Sequence, residues 1–167
     1  MEIRIWLGDL GAYNAGSLVG EWLSLPMDAE ELAAKVAKYS HDGTQDYFIA
    51  DWEYPSAFNN LVSEHSNPIA LNETAERLAE LSKYDLARVG YLVSAGQDVS
   101  DALDNYEDVT FYEGQSLKDV AYQLVDDGLF GDIPKDIASY IDYDAIARDL
   151  QHDGYDETPT GVFEYRG

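Results

Sequence analysis

The sequence predicts an α+β protein made of three successive segments, the first mixed, the second helical and the third mixed again. At the amino end apolar and polar residues alternate, so that Ile3, Ile5 and Leu7 share one face as they do in a half-buried strand. From Asn72 onwards the apolar residues recur at helical spacing instead. After residue 106 both patterns return. We therefore expect domains at residues 1–60, 61–106 and 107–167.

The first domain is predicted to have the element order β-β-α-β. Its opening strand breaks at a glycine-containing loop, because glycine takes the positive φ angles that loops require. A second strand is expected at residues 18–25 and a third at residues 46–52. Between them, Asp28 is placed to cap a helix that runs through Tyr39.

The second domain is predicted to be helical. Leu78, Leu86, Val89 and Leu92 recur at the spacing that brings side chains to one face of a helix. Gly96 is suited to the position just after a helix, and residues 98–106 could form a further short helix.

The third domain is expected to start with a strand at residues 109–112. Ser116 then caps a helix ending near Gly128, because its hydroxyl can accept a hydrogen bond from a free N–H group of the first turn. Pro134 suits the first turn of a short helix, and Asp142 caps another one. A strand at residues 160–165 completes this α+β unit.

The charge of the chain excludes several classes of function. The 33 Asp and Glu residues face only ten Lys and Arg residues, which gives a formal net charge of −23 at pH 7. Nucleic acids and anionic membranes are bound by Lys and Arg, so neither is expected as a partner. Disorder is also excluded, because 46% of the residues are hydrophobic, including 13 Tyr, 5 Phe and 3 Trp, and can form a core.

Residues for catalysis or for binding a cofactor are not evident in the sequence. There is no cysteine, and the three histidines belong to no metal-binding motif. Asp149, Asp153 and Gly154 fall at positions of an EF-hand loop, but Thr160 stands where a bidentate Glu is required. We expect no enzyme, no metal site and no cofactor. The amino end does not resemble a signal peptide, so a cytoplasmic location is expected.

The acids are densest towards the carboxyl end and repeat every three or four positions. On a helix this spacing places like charges side by side, at a cost of roughly 0.2–0.5 kcal/mol for each pair. Since duplex DNA carries one charge per ~1.7 Å of axis, the net charge equals that of roughly 39 Å of DNA. A surface that presents negative charge to a partner and a general adaptation to solubility or high salt both fit this composition.

Two blocks of sequence resemble one known family. The first comprises LGAYNAGSLVGEW at residues 10–22, LPMD at residues 25–28 and DWEYP at residues 51–55. The second comprises GDIP at residues 131–134 and YIDYDAIARDL at residues 140–150. Both are similar to recurrent blocks of the ArdA antirestriction proteins, and they occur in the same order over nearly the whole chain.

The resemblance implies a function that agrees with the charge. ArdA proteins are carried by mobile genetic elements and block type I restriction-modification enzymes by imitating B-form DNA. They are elongated homodimers of three small domains in series, joined through the carboxy-terminal domain. Their partner is the methyltransferase core, whose basic DNA channel they occupy. The resemblance therefore implies a competitive inhibitor without catalytic activity.

The resemblance and the charge pattern together predict two sets of functional residues. Residues 128–142 resemble the antirestriction motif, which in the family lies by the dimer contact, so their apolar members are predicted to form the dimer interface: Leu129, Phe130, Ile133, Ile137, Tyr140 and Ile141. The acids that imitate DNA phosphates are chosen by charge density: Glu73, Glu76, Glu80, Asp98, Asp101, Asp104, Glu107, Asp108, Asp119, Asp126, Asp127, Asp132 and Asp136.

One alternative function belongs to a different class. An acidic scaffold or chaperone that binds another basic DNA-binding protein would have the same composition. It would compete with any basic partner and would show no preference for restriction enzymes.

Overall fold

The computed structural model describes residues 1–41, 44–58 and 60–167, and it confirms a mixed α+β protein. The chain divides into two compact units, Met1–Leu103 and Asp104–Gly167. This division lies close to the predicted boundary between residues 106 and 107. The predicted boundary between residues 60 and 61 falls inside the first unit, so a division into three domains stays a prediction.

The first unit joins a small sheet to a helical region. Its elements are β1 (Ile3–Asp9), α1 (Leu10–Asn14), β2 (Gly20–Leu25), α2 (Ala29–Lys38), β3 (Ser40–His41), β4 (Thr44–Gln45), β5 (Tyr47–Glu53), a 3₁₀ turn (Ser56–Phe58), α3 (Pro68–Glu80), α4 (Lys83–Ser94) and α5 (Val99–Asn105), the last of which extends past Leu103.

The sheet of the first unit has β1 at its centre. β2 and β5 flank it, both antiparallel, in the order β2-β1-β5. The alternation predicted for the amino end is confirmed, because Ile3, Ile5 and Leu7 are completely buried. Gly20 lies beneath the Trp6 ring, where a Cβ atom would collide with the indole. This close approach explains a glycine at the first position of an edge strand.

A short helix replaces part of the loop that the glycines predicted. Residues 10–14 form α1, because the Asp9 carboxylate accepts a hydrogen bond from the N–H of Ala12 at 2.8 Å. The second strand consequently begins at Gly20 rather than at residue 18. A capped first turn can stabilise a helix that contains Gly11, a poor helix former.

The other predicted helices of the first unit are present. The Asp28 carboxylate accepts hydrogen bonds from the N–H groups of Glu30 and Glu31 at the start of α2, as expected. Asn67 and Ser82 cap α3 and α4 in the same way. α3 packs against α2 and β2.

The second unit packs two helices against a three-stranded antiparallel sheet. Leu117, Val120, Leu150, Tyr155 and Val162 form its core. The strand order is β6-β8-β7. Its elements are a 3₁₀ turn (Tyr106–Asp108), β6 (Thr110–Glu113), α6 (Leu117–Asp126), a 3₁₀ turn (Ala138–Tyr140), α7 (Tyr143–Leu150), β7 (Tyr155–Thr158) and β8 (Gly161–Glu164).

In the second unit one predicted helix was wrong and one strand was missed. No α-helix starts at Pro134. Instead, the N–H of Ile137 bonds to the carbonyl of Pro134 and the N–H of Tyr140 to that of Ile137, which gives successive turns. The strand β7 was not predicted, because its sequence YDET is polar and acidic. It pairs with β8, so Tyr155 is buried while Asp156 and Glu157 remain exposed.

An ion cluster joins β2 to α2. The Glu21 carboxylate accepts hydrogen bonds from Nζ of Lys35 at 2.8 Å, from Nζ of Lys38 at 3.1 Å and from Oη of Tyr39 at 3.2 Å. The hydrogen bond from Lys35, followed by that from Lys38, lowers the pKa of Glu21 from 4.5 to about 2. Two ammonium groups therefore stabilise this carboxylate in its charged form.

We expect Ile5→Ala to lower the free energy of unfolding of the first unit by roughly 3 kcal/mol, because it leaves a cavity in the fully buried centre of the sheet. Urea denaturation followed by tryptophan fluorescence measures this change. Ile69→Ala is the matched control, since Ile69 is 37% exposed on α3. Equal losses for the two variants would contradict the assignment of Ile5 to the core.

We expect Glu21→Gln to destabilise the protein in a pH-dependent way. A carboxyl group whose folded pKa lies below its unfolded pKa stabilises the fold above the unfolded value and loses this effect as the pH falls. The stability difference between wild type and variant should therefore be complete above pH 4.5 and vanish towards pH 2. Urea denaturation across this range measures it.

Glu30→Gln is the control for the pH series, because Glu30 is exposed on α2 and forms no ion pair with a described residue. The difference in the free energy of unfolding between wild type and Glu21→Gln should shrink as the pH is lowered from about 6 to about 2.5. A difference that stays constant over this range would contradict the depressed pKa of Glu21.

Candidate partner-binding surface

All the acids predicted to face a partner have exposed side chains. Five of them belong to the first unit and the others to the second. A residue must be exposed to solvent if it is to contact a basic partner. We call these residues the acidic set: Glu73, Glu76, Glu80, Asp98, Asp101, Asp104, Glu107, Asp108, Asp119, Asp126, Asp127, Asp132 and Asp136.

Three members of the acidic set form a row on α3. Glu73, Glu76 and Glu80 are spaced by three and four residues, so they share the solvent-facing side of the helix. Leu71 and Leu78 are buried on the opposite side. The apolar side holds α3 in the core, and this leaves the acidic side free for contact with another molecule.

The acids at residues 98–108 are carried by α5 and the turn after it. Asp98 precedes α5, and Asp101 is exposed on its first turn, while Ala102 and Leu103 are buried. The helix predicted for residues 98–106 is therefore present as residues 99–105. In the second unit Asp104 is at the end of α5, and Glu107 and Asp108 belong to the following 3₁₀ turn.

Asp119 also has a structural role. Its carboxylate accepts hydrogen bonds from the hydroxyl and the N–H of Ser116, and the Ser116 hydroxyl accepts one from the N–H of Asp119. The bond from the hydroxyl, followed by the backbone bond, lowers the pKa of Asp119. This reciprocal capping box starts α6, so a substitution of Asp119 would weaken a helix as well as remove a charge.

Asp126 and Asp127 end α6 at a place that is unfavourable for acids. The carboxyl end of a helix carries partial negative charge, so a nearby carboxylate destabilises it. The last turn of α6 has no basic residue to offset this repulsion. The positions of these two acids are therefore not explained by the stability of the helix.

Asp132 and Asp136 belong to the irregular segment that follows α6, and both are exposed. Asp126 and Asp132 border a groove of about 250 Å³ whose apolar wall includes Ile133, Ile141 and Tyr143. Carboxylates and apolar side chains thus lie next to each other in this part of the second unit.

Six of the ten basic side chains form ion pairs with acids outside the acidic set: Arg4, Lys35, Lys38, Arg88, Lys118 and Arg166. Lys118, for example, donates to Asp144 at 2.9 Å, and this hydrogen bond raises the pKa of Lys118. Leaving Asp104 aside, no member of the acidic set forms an ion pair with a described residue. The acids that pair with bases include Glu21, Glu31, Glu53, Asp85, Asp144 and Glu164.

The predicted dimer residues form an apolar segment at the surface of the second unit. Leu129 is 60% exposed and Tyr140 is 84% exposed, and Phe130 and Ile137 are also open to solvent. Ile133 and Ile141 are half-buried. Several large apolar side chains exposed in one short segment are typical of an interaction site.

A second group of exposed apolar residues was not selected from the sequence. Tyr13, Leu18 and Val19 are exposed in the first unit, within the first family block. Tyr13 contacts the ring of Phe48, with the ring centroids 5.1 Å apart. These residues could not be selected from the sequence, because apolar residues next to a predicted strand usually enter the core.

Metal sites and membrane spans are not found in the described residues. No group of three or more His, Cys, Asp or Glu side chains in this part of the chain is arranged to hold a metal ion. Asp149 and Asp153, which match an EF-hand loop in part, are both exposed. None of the described helices has the length and apolar character needed to cross a bilayer.

Comparison with known proteins identifies the family. The family model described as antirestriction protein (ArdA) matches residues 5–164 of the 167 in the chain. A comparison with curated proteins gives no match. The match covers both blocks on which the resemblance was based, together with the acidic set and the apolar segment. The chain belongs to the ArdA family of antirestriction proteins.

Proposed function

We propose that this protein inhibits type I restriction-modification enzymes by imitating B-form DNA. In this proposal it occupies the basic DNA channel of the methyltransferase core and competes with DNA there. It is not an enzyme, needs no cofactor, acts in the cytoplasm and is carried by a mobile genetic element. Membership of the antirestriction family supports the class of partner.

The observation that carries the proposal is the near absence of ion pairs in the acidic set. Six of the ten basic side chains neutralise acids outside the acidic set, while twelve members of the set have no ion-pair partner among the described residues. Unpaired surface carboxylates repel each other, so this arrangement does not favour stability. It does favour binding, because the carboxylates remain available to Lys and Arg side chains of a partner.

The electrostatic field explains how such an inhibitor would act. A strongly negative surface is steered towards a basic channel, and this association is fast and sensitive to salt. Inside the channel the carboxylates take the positions of phosphates, which supply much of the binding to DNA without reading its sequence. Type I enzymes with different recognition sequences should therefore be inhibited alike.

Dimerisation is part of the same proposal. The apolar segment at residues 129–141 supplies the contact, and the exposure of Leu129, Phe130, Ile137 and Tyr140 supports this assignment. A dimer would double the number of carboxylates that one inhibitor presents. The division into domains at residues 1–60, 61–106 and 107–167 belongs to the proposal as well.

We expect neutralisation of four members of the acidic set to weaken inhibition at least about tenfold, because several modest charge contacts act as a sum. The variant combines Asp98→Asn, Asp101→Asn, Glu107→Gln and Asp108→Asn. Inhibition is measured by the displacement of a fluorescent duplex from a type I methyltransferase core, followed by anisotropy at moderate salt.

The control variant removes the same number of charges at exposed acids outside the acidic set: Glu30→Gln, Glu64→Gln, Asp149→Asn and Asp153→Asn. An equal loss for both variants would indicate a generic polyanion. The same displacement assay is run in parallel on the duplex bound to an unrelated basic DNA-binding protein. Its displacement from DNA by the wild type would favour the acidic scaffold or chaperone.

We expect Leu129→Asp to convert the dimer to a monomer, because a carboxylate would be buried without a partner at the contact. Sedimentation velocity at several protein concentrations measures the change. Leu18→Asp is the matched control, since Leu18 is 70% exposed in the first unit. A wild type that sediments as a monomer, or a Leu129→Asp variant that remains a dimer, would contradict this interface.

A further inference from the structure

Asn72 is the one polar residue with a buried side chain among those that the structure describes, with 3% of its surface exposed. It belongs to α3 and lies beside the buried Leu71. Burying an amide is unfavourable unless its polar atoms form hydrogen bonds. The bonds that Asn72 forms therefore indicate what the residue does.

Two of these bonds join α3 to the backbone of Met27. The Asn72 Oδ1 atom accepts a hydrogen bond from the N–H of Met27 at 2.9 Å. The Nδ2 group donates to the carbonyl of Met27 at 3.0 Å. The side-chain amide thus pairs with one residue through both of its ends, as one peptide group pairs with another in a sheet. A rotation or shift of α3 would break both bonds.

Met27 lies at the junction between the strand β2 and the helix α2. β2 ends at Leu25, and Asp28 caps α2, so Met27 lies between the strand and the helix. α3 packs against both of these elements. Apolar packing tolerates small shifts, whereas a pair of hydrogen bonds specifies one position. Asn72 therefore fixes α3 with respect to β2 and α2.

A third bond connects Asn72 to the acidic set. The Nδ2 group also donates to Oε1 of Glu76 at 3.0 Å. Glu76 is exposed, one turn further along α3. Its neighbours in the row, Glu73 and Glu80, have no such hydrogen bond among the described residues. The carboxylate of Glu76 is thus held by the buried amide of Asn72, which is itself bonded to the backbone of Met27.

We propose that Asn72 is a positioning residue of the partner-binding surface. It sets where the carboxylates of α3 lie relative to the sheet and restrains the side chain of Glu76. A restrained carboxylate loses less conformational entropy when a cation binds it. This inference rests on the proposed function, because it concerns the same surface, and it adds a residue that never contacts the partner.

The central test combines Asn72→Leu with Glu76→Gln. Leucine has a similar size and stays buried, but it removes all three hydrogen bonds. We expect Asn72→Leu to weaken displacement of the duplex from the methyltransferase core about fivefold, as expected for a modest loss of preorganisation. Glu76→Gln should weaken displacement in the wild-type background and have a smaller effect in the Asn72→Leu background.

This non-additivity separates positioning from a structural role. A residue that only stabilises the fold would give independent effects, because every measurement is made on protein shown to be folded by circular dichroism. Additive losses, or an Asn72→Leu variant that displaces the duplex as well as the wild type, would overturn the proposal. Failure of the wild type itself to displace the duplex would instead overturn the proposed function, and the positioning role with it.

A second variant decides the question if Asn72→Leu does not fold. Glu76→Asp keeps the charge but withdraws the carboxylate from Asn72, so we expect it to weaken displacement by about as much as Glu76→Gln. Glu73→Asp is the matched control on the same helix, since Glu73 is not held by Asn72, and its effect should be smaller. Equal inhibition by wild type and Glu76→Asp would overturn the proposal.

Discussion

Repulsion among 33 carboxylates, opposed by only ten basic side chains, constrains every part of this fold. No acid in the described residues is buried. Three of them, Asp9, Asp28 and Asp142, accept hydrogen bonds from free N–H groups at the starts of helices, where the partial positive charge of the helix offsets their own. Others are paired with Lys or Arg. The remaining acids stay in water, where solvent and salt screen their repulsion.

The repulsion must be outweighed by apolar burial within each unit. In the first unit the fully buried Ile3, Ile5 and Leu7 supply the centre of the sheet, and in the second unit α6 and α7 pack together and share a core with the sheet. This leaves the exposed sides of α3 and α5 without a role in the core. The same separation, with apolar residues inside and unpaired acids outside, is what a protein that presents charge to a partner requires.

Much of the fold could be predicted from the sequence because its signals are local. Asp28, Ser116 and Asp142 cap helices as expected, since a cap depends only on the next few residues. α1 and β7 were not predicted. α1 depends on a single cap by Asp9 within a glycine-containing segment, and β7 is a polar sequence that is extended only because β8 pairs with it. The helix expected at Pro134 was wrong, because the chain forms successive turns there.

The sequence by itself determined the net charge, the fold class, the family and the exposure of the acidic set, because charged side chains remain in water whatever their neighbours are. Only the tertiary structure decided which acids are paired. Glu21 forms an ion pair with Lys35 because β2 and α2 lie side by side. Asp144 forms an ion pair with Lys118 because α6 and α7 pack together. The structure alone also placed Asn72 against Met27, since residues 45 positions apart have no relation that local spacing could reveal.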